Sequence, residues 1–130
     1  ALINKFVSAK ELGSPSVTLW GTGSPKREFL FSSDLADAVS IALEKYDEDL
    51  HLNVGTGEDL TIKELADLIS REVGYSGEII WDHSKPDGTP RKVLDVSRMK
   101  NLGWRPQVEL KEGIRKTIEY FRNVKGMVVA

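Results

Sequence analysis

The segment Ser84 to Lys92 reads SKPDGTPRK, which places two prolines, a glycine, three cations and one carboxylate in nine residues. Pro86 presets the first central position of a turn, Asp87 suits the second, Gly88 accepts the next conformation, and Pro90 stiffens the exit. A loop restrained in this way loses less entropy when it binds a ligand. Arg91 and Lys92 follow at once, so an anion would meet positive charge already in place, with Asp87 available to accept from a ligand hydroxyl. The plain alternative is an exposed polar turn.

A second stretch, WGTGSPKR from Trp20 to Arg27, sets an indole beside a glycine-containing loop and the pair Lys26 and Arg27. An aromatic face offers packing area, and a guanidinium grips phosphate as a bidentate fork. That pairing suits a nucleotide or sugar diphosphate. The competing account makes Trp20 a core residue and Arg27 a surface strand charge. The candidate binding set is therefore Trp20, Arg27, Asp87 and Lys92, with Lys85 and Arg91 as weaker members. It requires the two stretches to converge on one hollow.

Other chemistries find little support. Gly55-Thr56-Gly57 follows a strand-like segment and precedes a helix, but Leu60 stands where a dinucleotide fingerprint needs its third glycine. Turn chemistry explains that pair of glycines. The stretch from Gly21 is followed by Pro25 and a strand rather than a helix. His51 and His83 are the only histidines and lack the i, i+4 spacing of paired metal ligands, so no metal site is predicted. There is no G-x-S-x-G elbow. No tyrosine is followed four residues later by lysine: Tyr46 meets Leu50, Tyr75 meets Ile79 and Tyr120 meets Val124. No catalytic or cofactor-binding residue is assigned.

The elements that must hold these groups alternate. Leu2, Ile3, Phe6 and Val7 share one helical stripe ending near Gly13; a helix that opens on an apolar stripe without a cap suggests a piece of something longer. VTLW and EFLF read as strands. Ser33 is a plausible N-cap for a helix burying Leu35, Val39, Ala42, Leu43 and Tyr46. HLNVG is a buried-strand candidate. Thr61 and Glu64 form a capping box for a helix with Ile62, Leu65, Ile69 and Val73 on one face, stopped by Gly74. EIIW is a further strand, VSRMKNLGW a short helix ended by Gly103, and the last helix turns Leu110, Ile114, Ile118 and Phe121 inward. Strands alternating with helices predict an α/β domain over 1–124, with a frayed tail at 125–130.

The totals agree. One domain fits 130 residues at 40% hydrophobic content, and a net charge of −2 argues against a general nucleic-acid or membrane-surface binder. Any anion site is local. Cysteine is absent, no run approaches the length of a spanning helix, and the cytoplasm is the default compartment.

Four blocks carry a resemblance: VTLWGTGSPKREFLFSSDLADA, HLNVGTGEDLTIKELADLI, EIIWDHSKPDGTPRKVLDVSRMKNLGW and the closing helix. Together, over roughly residues 1–123, they resemble the C-terminal part of the GDP-L-fucose synthase family. That family is a branch of the extended short-chain dehydrogenases/reductases in the NAD-dependent epimerase/dehydratase superfamily. The first two blocks are shared loosely across nucleotide-sugar enzymes, and KPDGTPRK followed by LGW is the more particular signature.

The resemblance implies a small substrate-binding domain that lacks most of the Rossmann cofactor domain. It implies an NADP(H)-dependent epimerisation and reduction of GDP-4-keto-6-deoxy-D-mannose to GDP-L-fucose by a homodimer. The glycine-rich cofactor loop and the acid–base groups would belong to an N-terminal part that these residues do not include, so the chain alone is expected to bind neither cofactor nor turn over substrate. Carried over by motif, Trp20, Arg27, Asp87 and Lys92 would contact the GDP-sugar. An exposed apolar face is expected where the absent domain would pack. Alternatives are the same domain from another nucleotide-sugar epimerase or dehydratase, and a noncatalytic phosphate-ligand or interaction module.

Overall fold

The computed structural model describes residues 1–128, and side chains through residue 124. In chain order the elements are α1 (Leu2–Glu11), β1 (Ser16–Trp20), β2 (Lys26–Arg27), α2 (Ser32–Lys45), β3 (Leu60–Thr61), α3 (Ile62–Val73), β4 (Glu78–Asp82), β5 (Arg91–Lys92), α4 (Ser97–Asn101) and α5 (Leu110–Val128). β1 and β4 pair in parallel from Ser16 opposite Glu78 to Trp20 opposite Asp82. A second sheet has β2 in the middle, antiparallel to β3 and parallel to β5. The α/β class follows the alternation in the sequence.

The main core forms where amphipathic faces meet. Pleating of β1 sends Val17 and Leu19 inward and leaves Thr18 and Trp20 outside. These two meet Phe6 and Val7 of α1, Leu65, Ile69 and Val73 of α3, and Ile114 and Ile118 of α5. The capping box of α3 is present: Thr61 Oγ1 accepts the Glu64 N–H at 3.1 Å and Glu64 Oε2 accepts the Thr61 N–H at 2.7 Å. Gly74 ends this helix in the left-handed conformation, φ 72°, and Lys10 Nζ donates to the Val73 carbonyl at 2.9 Å. Phe6, at 0% exposure, tilts against Tyr75 with ring centroids 5.7 Å apart. A smaller core joins Ala38, Met99 and Trp104.

Four expectations are corrected. EFLF is not a strand; pairing stops at Arg27 and residues 28–31 lead into α2. HLNVG is also irregular, held instead by contacts such as the Asn53 side-chain amide donating to the Asp95 carbonyl at 3.1 Å. The N-cap of α2 is Phe31, without a side-chain cap bond, so Ser33 lies inside the helix.

The face of α2 is turned as well. Asp34 (2% exposed) and Ala38 are buried, while Leu35 and Val39 are about half exposed and Leu43 is 83% exposed. Two distant partners decide this. The Val108 N–H donates to Asp34 Oδ2 at 3.0 Å, and the indole of Trp104 packs in the cluster that contains small Ala38. An apolar stripe of Leu35, Val39 and Leu43 therefore faces outward.

At the C-terminal end, α5 continues as helix through Val128; residues 129–130 of the expected frayed tail lie outside the described residues. Among the described residues no helix is long and apolar enough to cross a membrane.

Truncating Phe6 removes a fully buried ring from the main core. Phe6→Ala should lower unfolding free energy by about 3–5 kcal/mol, read as a fall in the urea midpoint at constant slope; a loss under about 1 kcal/mol would contradict this packing.

Candidate functional site

Because β1 and β4 are parallel and in register, both strands end at the same edge, at Trp20 and Asp82. Gly21 N–H donates to the Asp82 carbonyl at 2.9 Å, and Lys26 N–H donates to the Pro90 carbonyl at 2.8 Å. Between those two bonds the loops 21–25 and 83–90 connect one parallel strand pair to the next. They form a ribbon with Trp20 at one end and β2 and β5 at the other.

Midway, the ribbon is latched. The Thr22 N–H donates to Asp87 Oδ1 at 2.6 Å, and the Thr22 hydroxyl donates to Asp87 Oδ2 at 2.7 Å. The backbone bond from Thr22, then its hydroxyl bond, hold the Asp87 carboxyl below its ordinary value against desolvation, with His83 adding a smaller pull. Gly21 is required here. Its φ is 81°, and a Cβ would lie 2.3 Å from Asp87 Oδ1. Gly23, at φ 76°, similarly leaves room for the ring of Trp81, which a Cβ would approach to 2.6 Å.

At the far end, pairing of β2 with β5 sets Arg27 opposite Lys92 and Lys26 opposite Arg91. Laterally paired residues share a sheet face, so Arg27 and Lys92 lie on one side and Lys26 and Arg91 on the other. Arg91 is committed to structure. Its Nε bonds to Oδ2 of the largely shielded Asp59, which raises the Arg91 guanidinium and lowers the Asp59 carboxyl, the hydrogen bond being the leading cause for each. Arg27 Nη1 donates to the Lys26 carbonyl at 2.6 Å, and Lys92 is exposed. Trp20 is 70% exposed, with Lys85 Nζ 5.7 Å from its ring centroid.

All six candidates from the two stretches thus sit on one ribbon, in different roles. Trp20 with Lys85, and Arg27 with Lys92, are juxtaposed pairs; Asp87 is a latch to Thr22, and Arg91 is an ion-pair partner. The ribbon is an open surface. Hollows of about 400 and 550 Å³ lie elsewhere, and neither is lined by Trp20, Arg27, Asp87 or Lys92.

Sequence reading missed Thr22, Asp59 and Glu28. Glu28 accepts the Gly57 N–H at 3.0 Å and the Leu94 N–H at 2.8 Å, so the Gly55-Thr56-Gly57 turn faces a carboxylate of its own chain. Only the glycines beside Thr22 hinted at a close approach. No group of three or more potential metal ligands is present among the described residues.

The chain is similar in sequence and fold to known proteins. Residues 1–55 match the NAD dependent epimerase/dehydratase family. The chain is 50% identical over 121 residues to probable GDP-L-fucose synthase 1 of Oryza sativa subsp. japonica, covering 93% of this chain and 37% of that protein. It is 48% identical over 125 residues to GDP-L-fucose synthase 1 of Arabidopsis thaliana, covering 95% and 39%. A GDP-mannoheptose C4 reductase of Campylobacter jejuni, solved with NADP bound, superimposes with a TM-score of 0.81 at 36% identity, covering 93% of this chain and 43% of that one. The chain therefore spans less than half the length of these relatives.

The latch carries a pH signature. A carboxyl held low in the folded state contributes fully above its unfolded value, about 3.9, and the contribution is lost as pH falls through the lower folded value. The Thr22 amide resonance should titrate with a midpoint below about 3.9 and lose that titration in Asp87→Asn. A midpoint at or above that value would contradict the latch.

Proposed function

We propose that the chain, similar in sequence to GDP-L-fucose synthases and in fold to a GDP-mannoheptose C4 reductase, belongs to the epimerase/dehydratase family, and that residues 1–124 are the substrate-binding portion of an NADP(H)-dependent nucleotide-sugar epimerase/reductase. Its substrate is GDP-4-keto-6-deoxy-D-mannose and its product GDP-L-fucose. One observation carries the reading: the register that sets Arg27 beside Lys92 at the end of a ribbon whose other end is Trp20. Neighbouring strands lie about 4.8 Å apart, so two cations on one face present charge to both phosphates of a diphosphate.

In this reading Arg27 supplies a planar fork and Lys92 a mobile point charge. Trp20 packs its exposed indole against the nucleotide sugar, and Lys85 above it adds positive charge. Asp87 holds the ribbon closed through Thr22; its remaining lone pairs can accept from a ligand hydroxyl. The chain's share of the reaction is orientation, since binding energy from the diphosphate fixes the distant hexose.

NADP(H) would supply the hydride, and the residues described here do not suit it. Gly55-Thr56-Gly57 follows an irregular segment and lacks the third glycine, and its Gly57 amide is engaged by Glu28. Cofactor and acid–base groups are assigned to a further portion of the enzyme, which functions as a homodimer in the cytoplasm. The outward apolar stripe on α2 supports membership of a larger assembly.

Calorimetric titration of the chain with GDP-, UDP- and dTDP-sugars should give tightest binding for the GDP-sugar and no NADPH oxidation. Arg27→Ala and Lys92→Ala should each weaken that binding by about 1.5–3 kcal/mol, less than additively because the two neighbour each other. Unaltered affinity in both variants would remove the diphosphate assignment, and equal affinity for all three nucleotides would remove the choice of GDP.

A further inference from the structure

Glu28 follows Arg27 directly, at the end of the central strand β2, and its carboxylate reaches to both sides. Oε1 accepts the N–H of Leu94, two residues beyond Lys92, at 2.8 Å. Oε2 accepts the N–H of Gly57, three residues before Leu60, at 3.0 Å. Leu60 and Lys92 are the two register partners of Arg27. One side chain therefore joins the extensions of both outer strands to the middle one, just past the point where pairing ends.

The need for such a joint follows from strand length. Each pairing in this sheet spans two residues, so the ladder has few backbone bonds to fix its register. Two charge-assisted bonds from one carboxylate are stronger than neutral ones, and they act on the segments where slippage would begin. The glycine turn is shaped around the same group: a Cβ at Gly55 would come within 2.7 Å of Glu28 Oε2, and Gly57 has φ 75°. The Gly55-Thr56-Gly57 turn, with the look of a phosphate loop, has its anion supplied from inside the chain.

We propose that Glu28 is a positioning residue for the diphosphate-binding cations: its carboxylate fills the glycine turn at 55–57 and holds β3, β2 and β5 in the register that sets Arg27 beside Lys92. The consequence for ligand binding rests on the function proposed above; the joint itself does not.

Amide hydrogen exchange followed by NMR on the 130-residue chain, paired with GDP titration, separates the two. In the unsubstituted chain the Leu94 and Gly57 amides, which lie outside any strand, should exchange slowly. In Glu28→Gln both should exchange faster while amides of the main core, such as those of Val17 and Ile69, keep their protection. GDP affinity should then fall roughly two- to tenfold, as expected when one or two long side chains lose their preorganisation.

Glu28→Asp, one methylene shorter, should protect at most one of the two amides and bind GDP with intermediate affinity. Rapid exchange of Leu94 and Gly57 in the unsubstituted chain would overturn the joint even if Glu28→Gln failed to fold. Faster exchange in Glu28→Gln with unchanged GDP affinity would overturn the positioning role. If the unsubstituted chain did not bind GDP while both amides exchanged slowly, the joint would stand and the nucleotide assignment would fall.

Discussion

The parallel pairing of β1 with β4 constrains the rest of the molecule. Parallel neighbours cannot be joined by a hairpin and require a long crossover; here the intervening chain contains α2 and α3, whose packing helps to build both cores. In register over five residues, the pair also brings Trp20 and Asp82 to a common edge. The two loops that leave this edge meet at Thr22 and Asp87 and end in a second parallel pair, β2 and β5. In open α/β sheets ligands gather at the carboxyl ends of strands, and the ribbon occupies that position.

Along the ribbon and its sheet, carboxylates serve as internal counter-groups. Asp87 accepts from Thr22, Glu28 from Gly57 and Leu94, and Asp59 from Arg91. Two of the three accept from backbone amides, which lets acidic residues brace turns without an ionic partner. Arg27 and Lys92, in contrast, have no carboxylate within ion-pair distance among the described residues. A chain that is slightly acidic overall can thus carry a local positive patch.

What was legible in the sequence was local or strongly periodic. The capping box of α3, its Gly74 stop, the inward stripe of α5 and the strands β1 and β4 follow from spacing over a dozen residues or fewer. The face of α2 was not, because Leu35, Val39 and Leu43 make the stronger apolar stripe, while the buried side depends on Val108 and Trp104, some 70 residues away. Strands of two residues have no period to detect, so β2, β3 and β5 were invisible as such. For the candidate site, residue types in stiff loops nominated Trp20, Arg27, Asp87 and Lys92, which the fold brings to one ribbon. The partners of Asp87 and Glu28 were not readable, since Thr22 is 65 residues from one and Leu94 is 66 from the other.

Alternation in β5 gives the length of the preceding loop a sharp meaning. Arg91 and Lys92 point to opposite faces, one toward Asp59 and the other alongside Arg27. Deleting or inserting a single residue between Pro86 and Pro90 would present the wrong cation on each side unless the strand slipped to compensate. A change in the count of that stretch exchanges the guanidinium that braces the sheet for the ammonium that lies beside Arg27.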